Sequence, residues 1–379
     1  MGDLRRDGSR FTSWTLFDLT LSLIDMASSV STAADTDFPL QPDDVEAVIG
    51  ALADQLDSYV FPEIAEKIQA DLDQRLDNGG YGDITGGQQL ADTLTAQLQA
   101  LSQDRHLKLH FSPVPLPHLE PQAEPTADEL ERQAQASRRR NFDLNRVERL
   151  PGNVGYIQLF SFEPPELAGD ALAAAMTLVA HTDALIFDLR HNQGGSPAAV
   201  AFLCSYLFPA HPAVHLNDLY WSETDETHQW WTVPHLPGPR YLGKPVFVLT
   251  SPDTFSAAEE FAYNLQTRQR ATIVGETTRG GANPGRGFRL HDHFWVFMPT
   301  GQAISPVTGK NWDGTGVIPD VKVPTEIALE TAHVIALTQR LDAGAEGVAR
   351  REIEETLPVV ERAMQQKRQD LIANLGGKG

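Results

Sequence analysis

Pro245-Val246-Phe247-Val248-Leu249-Thr250-Ser251-Pro252-Asp253-Thr254-Phe255-Ser256-Ala257-Ala258-Glu259-Glu260 sets the architecture of the chain. Its first six residues form a near-continuous apolar run, as a parallel strand covered on both faces requires. Pro252, Asp253 and Thr254 then break the run, and a helix is expected over 256–266. The same order recurs upstream: a strand at Val154–Leu159, a helix at 167–180, a strand at 184–189 and a helix at Pro197–Leu207. Downstream a further strand is expected at 271–274. Short apolar strands alternating with helices predict an α/β fold built on a parallel sheet. From Thr325, a plausible N-cap, the tail is expected to be helical, with charged residues covering much of 352–370.

Before Gly152 the texture differs. Pro42-Asp43-Asp44 opens a helix whose apolar positions Val45, Ile49, Leu52 and Leu56 repeat at helical spacing. Ile64, Ile68, Leu72 and Leu76 repeat in the same way. After the break at Asn78-Gly79-Gly80, so do Leu90, Leu94, Leu98 and Leu101. Residues 42–112 therefore read as a helical bundle domain. Residues 113–150 begin Pro-rich (Pro113, Pro115, Pro117, Pro121, Pro125) and turn charged, which suits a connector with one exposed helix. The expected division is an N-terminal extension over 1–41, the bundle, the connector, the α/β domain over 151–325 and C-terminal helices over 326–379.

A chain of 379 residues with 41% hydrophobic content can bury a full core. Its 30 Lys and Arg stand against 51 Asp and Glu, a net charge of −21. Such a field repels phosphate backbones and anionic membranes, so nucleic acid is not an expected partner. The single cysteine, Cys204, sits in the apolar run Val200-Ala201-Phe202-Leu203-Cys204 and is expected in the core. Arg5, Arg6 and Arg10 precede an apolar stretch that imitates an export signal, but Asp18 and Asp25 interrupt it. The expectation is an amphipathic extension packed on a cytoplasmic protein, with export left open. No apolar run reaches the ~20 residues of a membrane span.

Two loops stand at the C-terminal ends of the expected parallel strands, where open α/β sheets bind ligands. In Arg190-His191-Asn192-Gln193-Gly194-Gly195-Ser196-Pro197, the paired glycines would let backbone N–H groups approach a ligand and stabilise an oxyanion. A tight turn with glycines required only for positive φ is the alternative. In the second loop Ser256 meets the start of a helix, a nucleophile's position with the Ala257 N–H beside it. It is also an N-cap position, and Ser256 with Glu259 satisfies the capping-box pattern. A serine hydroxyl needs a base. His106, after Gln103-Asp104-Arg105 at a helix end, is one candidate, and an exposed histidine favoured there by the helix dipole is the other reading.

Asp188-Leu189-Arg190-His191-Asn192-Gln193-Gly194-Gly195, Thr254-Phe255-Ser256-Ala257-Ala258-Glu259-Glu260, Val274-Gly275-Glu276-Thr277-Thr278 and Gly316-Val317-Ile318-Pro319-Asp320 resemble, in order and spacing, successive motifs of the tail-specific (C-terminal-processing) serine protease family. The stretch 147–156 is similar to the branch that holds the tricorn core and the interphotoreceptor retinoid-binding protein. The resemblance runs over about residues 42–335. It implies a helical N-terminal domain followed by a ClpP/crotonase-like α/β core, and the connector is too short for the PDZ domain that typical members carry. By the same resemblance Ser256 is the nucleophile, and Ala257 with Gly194 and Gly195 are the oxyanion-hole donors. The family lysine position is Gly281 here, so the Ser–Lys dyad is absent. The tricorn core instead takes a histidine from its helical domain, and His106 is similar in placement. Asp313 is the positional match for the carboxylate that orients it, with Glu276 in reserve. Relatives often carry a histidine where this chain has Asn283. Lys108 and Lys310 lie away from the family lysine position.

The aromatic residues Tyr220, Trp221, Trp230 and Trp231 are expected either to line a substrate groove or to cap a hairpin. The implied activity is peptide hydrolysis through an acyl-enzyme on Ser256, needing no metal or cofactor, with oligomerisation compatible. A non-catalytic pocket for a small hydrophobic molecule is the alternative.

Overall fold

The computed structural model describes residues 39–116 and 126–376. Most of the N-terminal extension, the middle of the Pro-rich connector and the last three residues lie outside them. In chain order the elements are α1 (Pro42–Gln55), α2 (Pro62–Asp77), α3 (Gly87–Ser102), β1 (Lys108–Phe111), α4 (Ala127–Arg139), β2 (Leu144–Leu150) and β3 (Val154–Leu159). There follow α5 (Pro165–Val179), β4 (Ala184–Asp188), α6 (Pro197–Leu207), β5 (His215–Trp221), β6 (Glu226–Trp231), β7 (Val246–Thr250), α7 (Ala257–Thr267) and β8 (Thr272–Gly275). The remainder is β9 (Gly285–Arg289), β10 (Phe294–Pro299), β11 (Gly301–Ile304), β12 (Val321–Lys322), α8 (Ala328–Asp342) and α9 (Gly347–Gly376). No helix among the described residues is long and apolar enough to cross a membrane.

The chain packs as two compact units. The first takes the residues up to Arg132 together with Trp221–Glu226 and Asn283–Gln302. Prolines at the first turns of α1 and α2 start those helices with the backbone angle already set. Val45, Val48, Ile49 and Leu52 of α1, Ile68 and Leu72 of α2, and Leu90, Leu94 and Leu98 of α3 are buried at helical spacing. The α3 helix stops at Gln103, whose left-handed φ of 58° turns the chain while its N–H still reaches Gln99 O. Strand β1 then pairs antiparallel with β10, which pairs with β9. Gly87 leaves room for the Phe111 ring: a Cβ there would lie 2.2 Å from it.

The second unit is the α/β fold the strand and helix alternation predicts. A six-stranded sheet runs β12-β8-β7-β4-β3-β2, parallel throughout except for the antiparallel β2–β3 pair. All residues of β4 and β7 are buried, which is why both read as near-continuous apolar runs, broken only at Asp188 and Thr250. Alternate residues serve opposite faces. Tyr156, Ile186, Phe247, Leu249 and Val274 meet Ala328, Ala332, Ala336 and Leu337 of α8. On the other face Phe187 meets Phe261 of α7, with ring centroids 5.1 Å apart. The sheet is thus the middle of three layers, with the C-terminal helices forming one of the outer two. Cys204 is buried, as expected.

Candidate active site

Strands β4 and β7 are neighbours, so the loops that leave their C-terminal ends are neighbours as well. Four hydrogen bonds stitch them together. Ser251 Oγ donates to Arg190 O and Thr254 Oγ1 to Leu189 O, the latter at 2.8 Å. Phe255 N donates to Asn192 O at 3.1 Å, and Gln193 Nε2 to Asp253 O at 2.8 Å. Beneath the first loop, the Arg190 guanidinium grips Asp188 through two bonds of 2.9 and 2.6 Å, and Tyr156 adds its hydroxyl at 2.6 Å. Burial alone would raise the Asp188 carboxyl, but Arg190 and Tyr156 outweigh it and hold it below the ordinary carboxylate range.

Ser256 sits at the junction of the second loop with α7, at φ 54° and ψ −121°. An N-cap residue ordinarily occupies the extended region, and nothing in capping calls for positive φ in a residue with a side chain. The capping-box pairing with Glu259 is nevertheless present, with the Ser256 N–H donating to Glu259 Oε2 at 2.9 Å. Capping alone therefore does not account for this backbone, a sharp, sparsely populated turn at the end of a strand that the capping box holds in place.

Gly194 and Gly195 have φ of 109° and 133°, which side-chain-bearing residues avoid. A Cβ on Gly194 would come within 2.8 Å of the Ser256 Cβ, so the glycine loop lies directly against the serine. The two glycines differ in what their N–H groups do. The Gly194 N–H is taken by the Asn192 side chain at 2.9 Å. The N–H groups of Gly195 and Ala257 have no acceptor among the described residues. Of the expected oxyanion donors, these two remain available to a ligand.

Glu259 is the residue whose importance the sequence understated. It is fully buried, and its carboxylate collects four donors: Ser256 N, Thr278 Oγ1 at 2.5 Å, Gly280 N at 2.7 Å and Gly281 N at 2.9 Å. It fastens the Ser256 turn to the loop after β8. Burial pushes its carboxyl up, and the four donors offset that only in part. The capping-box pattern was a local signal for one of these bonds; nothing local signals the other three.

Asp313 accepts the Ala282 N–H at 2.9 Å. Glu276 Oε2 is engaged by Thr325, by its N–H at 3.0 Å and by its hydroxyl at 2.5 Å, which ties the end of β8 to the start of the C-terminal helices. Tyr220 and Trp230 are half-buried in the β5–β6 hairpin, and Trp221 is half-buried at the end of β5. Trp231 stacks on His215 at 4.3 Å, and His215 pairs with Asp218 at 2.7 Å, a contact that serves the hairpin itself. Lys108 and Lys310 are exposed, unlike the desolvated lysine that base chemistry calls for. Asn283 is buried within the first unit.

His106 also belongs to the first unit. Its side chain is only 9% exposed, in contrast to the expected alternative of a histidine open to solvent at a helix end. Asp104, two residues earlier and 1% exposed, accepts the His106 N–H at 2.9 Å and the Tyr59 hydroxyl at 3.1 Å. One of its carboxylate oxygens lies 4.0 Å from His106 Nδ1. Asp104 was not singled out from the sequence, although Asp104-Arg105-His106 could have flagged it. The ring of Phe297 flanks the imidazole at 5.7 Å.

Residues 153–323 match the family model Peptidase family S41, and residues 42–140 match the model for the N-terminal domain of Peptidase_S41 in eukaryotic IRBP. The chain belongs to peptidase family S41 and carries that N-terminal domain. It is 34% identical over 157 residues to a carboxyl-terminal-processing protease of Synechocystis sp., covering 41% of this chain. It is 26% identical over 194 residues to the chloroplastic carboxyl-terminal-processing peptidase 2 of Arabidopsis thaliana, covering 48% of this chain. The chain spans 35% of the length of each of these curated relatives. A solved structure from Parabacteroides merdae shares the fold, with a TM-score of 0.56 and 18% identity over 82% of this chain and 100% of that one.

Proposed function

We propose that the protein is a serine peptidase in which the Ser256 hydroxyl attacks the carbonyl carbon of a peptide bond. The backbone of Ser256 carries this reading: a strained turn at the end of a central strand, held by a buried carboxylate, with two uncommitted N–H groups beside it. As the bond to Ser256 Oγ forms, the carbonyl oxygen becomes an oxyanion and takes the Gly195 and Ala257 N–H groups. His106 accepts the serine proton and returns it to the leaving amine, giving an acyl-enzyme that water hydrolyses by the reverse transfers. Asp104, with Asp313 as the family position for this role, orients the imidazole. Peptides are the substrate class that the carboxyl-terminal-processing relatives support.

A fluorophosphonate probe tests the nucleophile. One probe should attach per chain, and Ser256→Ala should abolish attachment; labelling that persists in Ser256→Ala would refute the assignment. A second reading has its own support. The N-terminal model is that of a retinoid-binding protein's domain, and no lysine occurs in Glu276-Thr277-Thr278-Arg279-Gly280-Gly281-Ala282-Asn283. Absence of labelling together with tight binding of a fluorescent retinoid would favour that non-catalytic pocket.

A further inference from the structure

The loop after β8 carries a cation that the proton-transfer scheme leaves unused. The Arg279 N–H donates to Thr254 O at 3.1 Å, and its guanidinium lies over the Phe255 ring at 4.8 Å from the centroid. The next two residues, Gly280 and Gly281, are bound to the same Glu259 carboxylate that holds Ser256. The guanidinium is thus seated by a cation–π contact on Phe255, the residue directly before the serine, while the Arg279 main chain is tied to Thr254.

Its donors distinguish it from its neighbours. Arg190 spends its guanidinium on Asp188 and Thr325 O, Arg268 on His215 O, and Arg270 on the carbonyls of Leu207, Lys244 and Tyr241. Arg240 likewise binds four backbone carbonyls. The Arg279 guanidinium donates no hydrogen bond to any described residue, and its side chain is 35% exposed. Asp253 stands 3.8 Å away, beyond hydrogen-bond range, and is itself 64% exposed, so it holds the cation weakly. A planar fork of unspent donors matches one partner best, a carboxylate bound through two parallel bonds. In a chain of net charge −21, a cation held over the residue before the serine also offers an anionic ligand an attraction that the average field does not.

We propose that Arg279 is a specificity-determining residue that binds a carboxylate of the substrate near the scissile bond, which makes acidic peptides the preferred substrates of the Ser256 site. This rests on the peptidase reading for its use in turnover, though the binding itself does not depend on chemistry. The carboxylate has two possible sources, the free end of a chain or an Asp or Glu side chain.

Fluorescence polarisation with the full chain carrying Ser256→Ala separates them. Three pools of ten-residue peptides bearing an uncharged fluorophore and otherwise random would be compared: acid-free with a free carboxyl end, acid-free with an amidated end, and amidated with one internal Asp or Glu. At least one carboxylate pool should bind about tenfold or more tightly than the acid-free amide pool, and adding Arg279→Gln should bring that ratio to about one. Arg279→Lys, which keeps the charge but not the fork, should retain part of the preference. Advantage in the first pool assigns the chain end, and advantage in the third assigns side chains. Equal or absent binding of the pools, or a preference that survives Arg279→Gln, would overturn the proposal. Probe labelling of the protein with Ser256 intact keeps the two ideas apart: a labelled serine with equal pools defeats Arg279 alone, and an unlabelled serine defeats the peptidase alone.

Discussion

The turn that carries His106 and the turn that carries Ser256 each place a polar group at the end of a regular element, yet they are held differently. At the first, α3 ends in a left-handed Gln103, and the Asp104 carboxylate accepts from its near neighbour His106 and from Tyr59. At the second, a strained serine is clamped by a carboxylate that also binds three groups of a separate loop. Two donors to one carboxylate accompany the common left-handed turn at Gln103. A strained backbone persists only where the surroundings over-determine it.

That difference predicts unequal consequences when the clamps are cut. Both oxygens of Glu259 accept two bonds each, so Glu259→Gln must turn an NH2 group toward donors. Thermal or denaturant unfolding should show a loss of about 2–4 kcal/mol, and Ser256 labelling should slow at least a hundredfold. Wild-type stability and labelling in this variant would show that the turn holds itself. Asp104→Asn should cost less. The turn keeps its acceptor oxygen but loses the charge near the imidazole, and peptide turnover should fall roughly tenfold with little change in unfolding.

The smallest effect on catalysis belongs to Glu260, the neighbour of the clamp, whose signature is instead the pH dependence of stability. It is buried, and burial pushes its carboxyl up to about 8, with Asn217 and Asn264 only partly offsetting this and the Cys204 thiol nearby. Between its unfolded value near 4.5 and its folded value near 8, the native state keeps a proton that the unfolded chain releases. Stability should therefore fall as pH rises through that window. Glu260→Gln should flatten the fall, and an unchanged slope would place its source elsewhere.

Much of this architecture is legible in the sequence because it is written in local periods. The strand Val154–Leu159 and the helix Pro197–Leu207 fall where the apolar runs and a proline at the first helical turn put them. Pairing across distance is not written that way. Nothing near Leu109 announces that it pairs with Val296 of β10. The segment Asn283–Gln302, which holds β9 and β10, groups with the first unit. The site divides along the same line. Ser256, Ala257 and the glycine pair could be named from their position after strands. The Asn192 bond that takes the Gly194 N–H, and three of the four bonds to Glu259, required the fold.

The pseudo-first-order rate of fluorophosphonate attachment to Ser256, measured in the parent chain and in His106→Ala with and without added imidazole, tests the proposed proton transfer most directly. Removal of the imidazole should slow attachment by about 10²–10⁴-fold, and free imidazole should restore part of the rate. An unchanged rate in His106→Ala would show that the serine proton goes to another group.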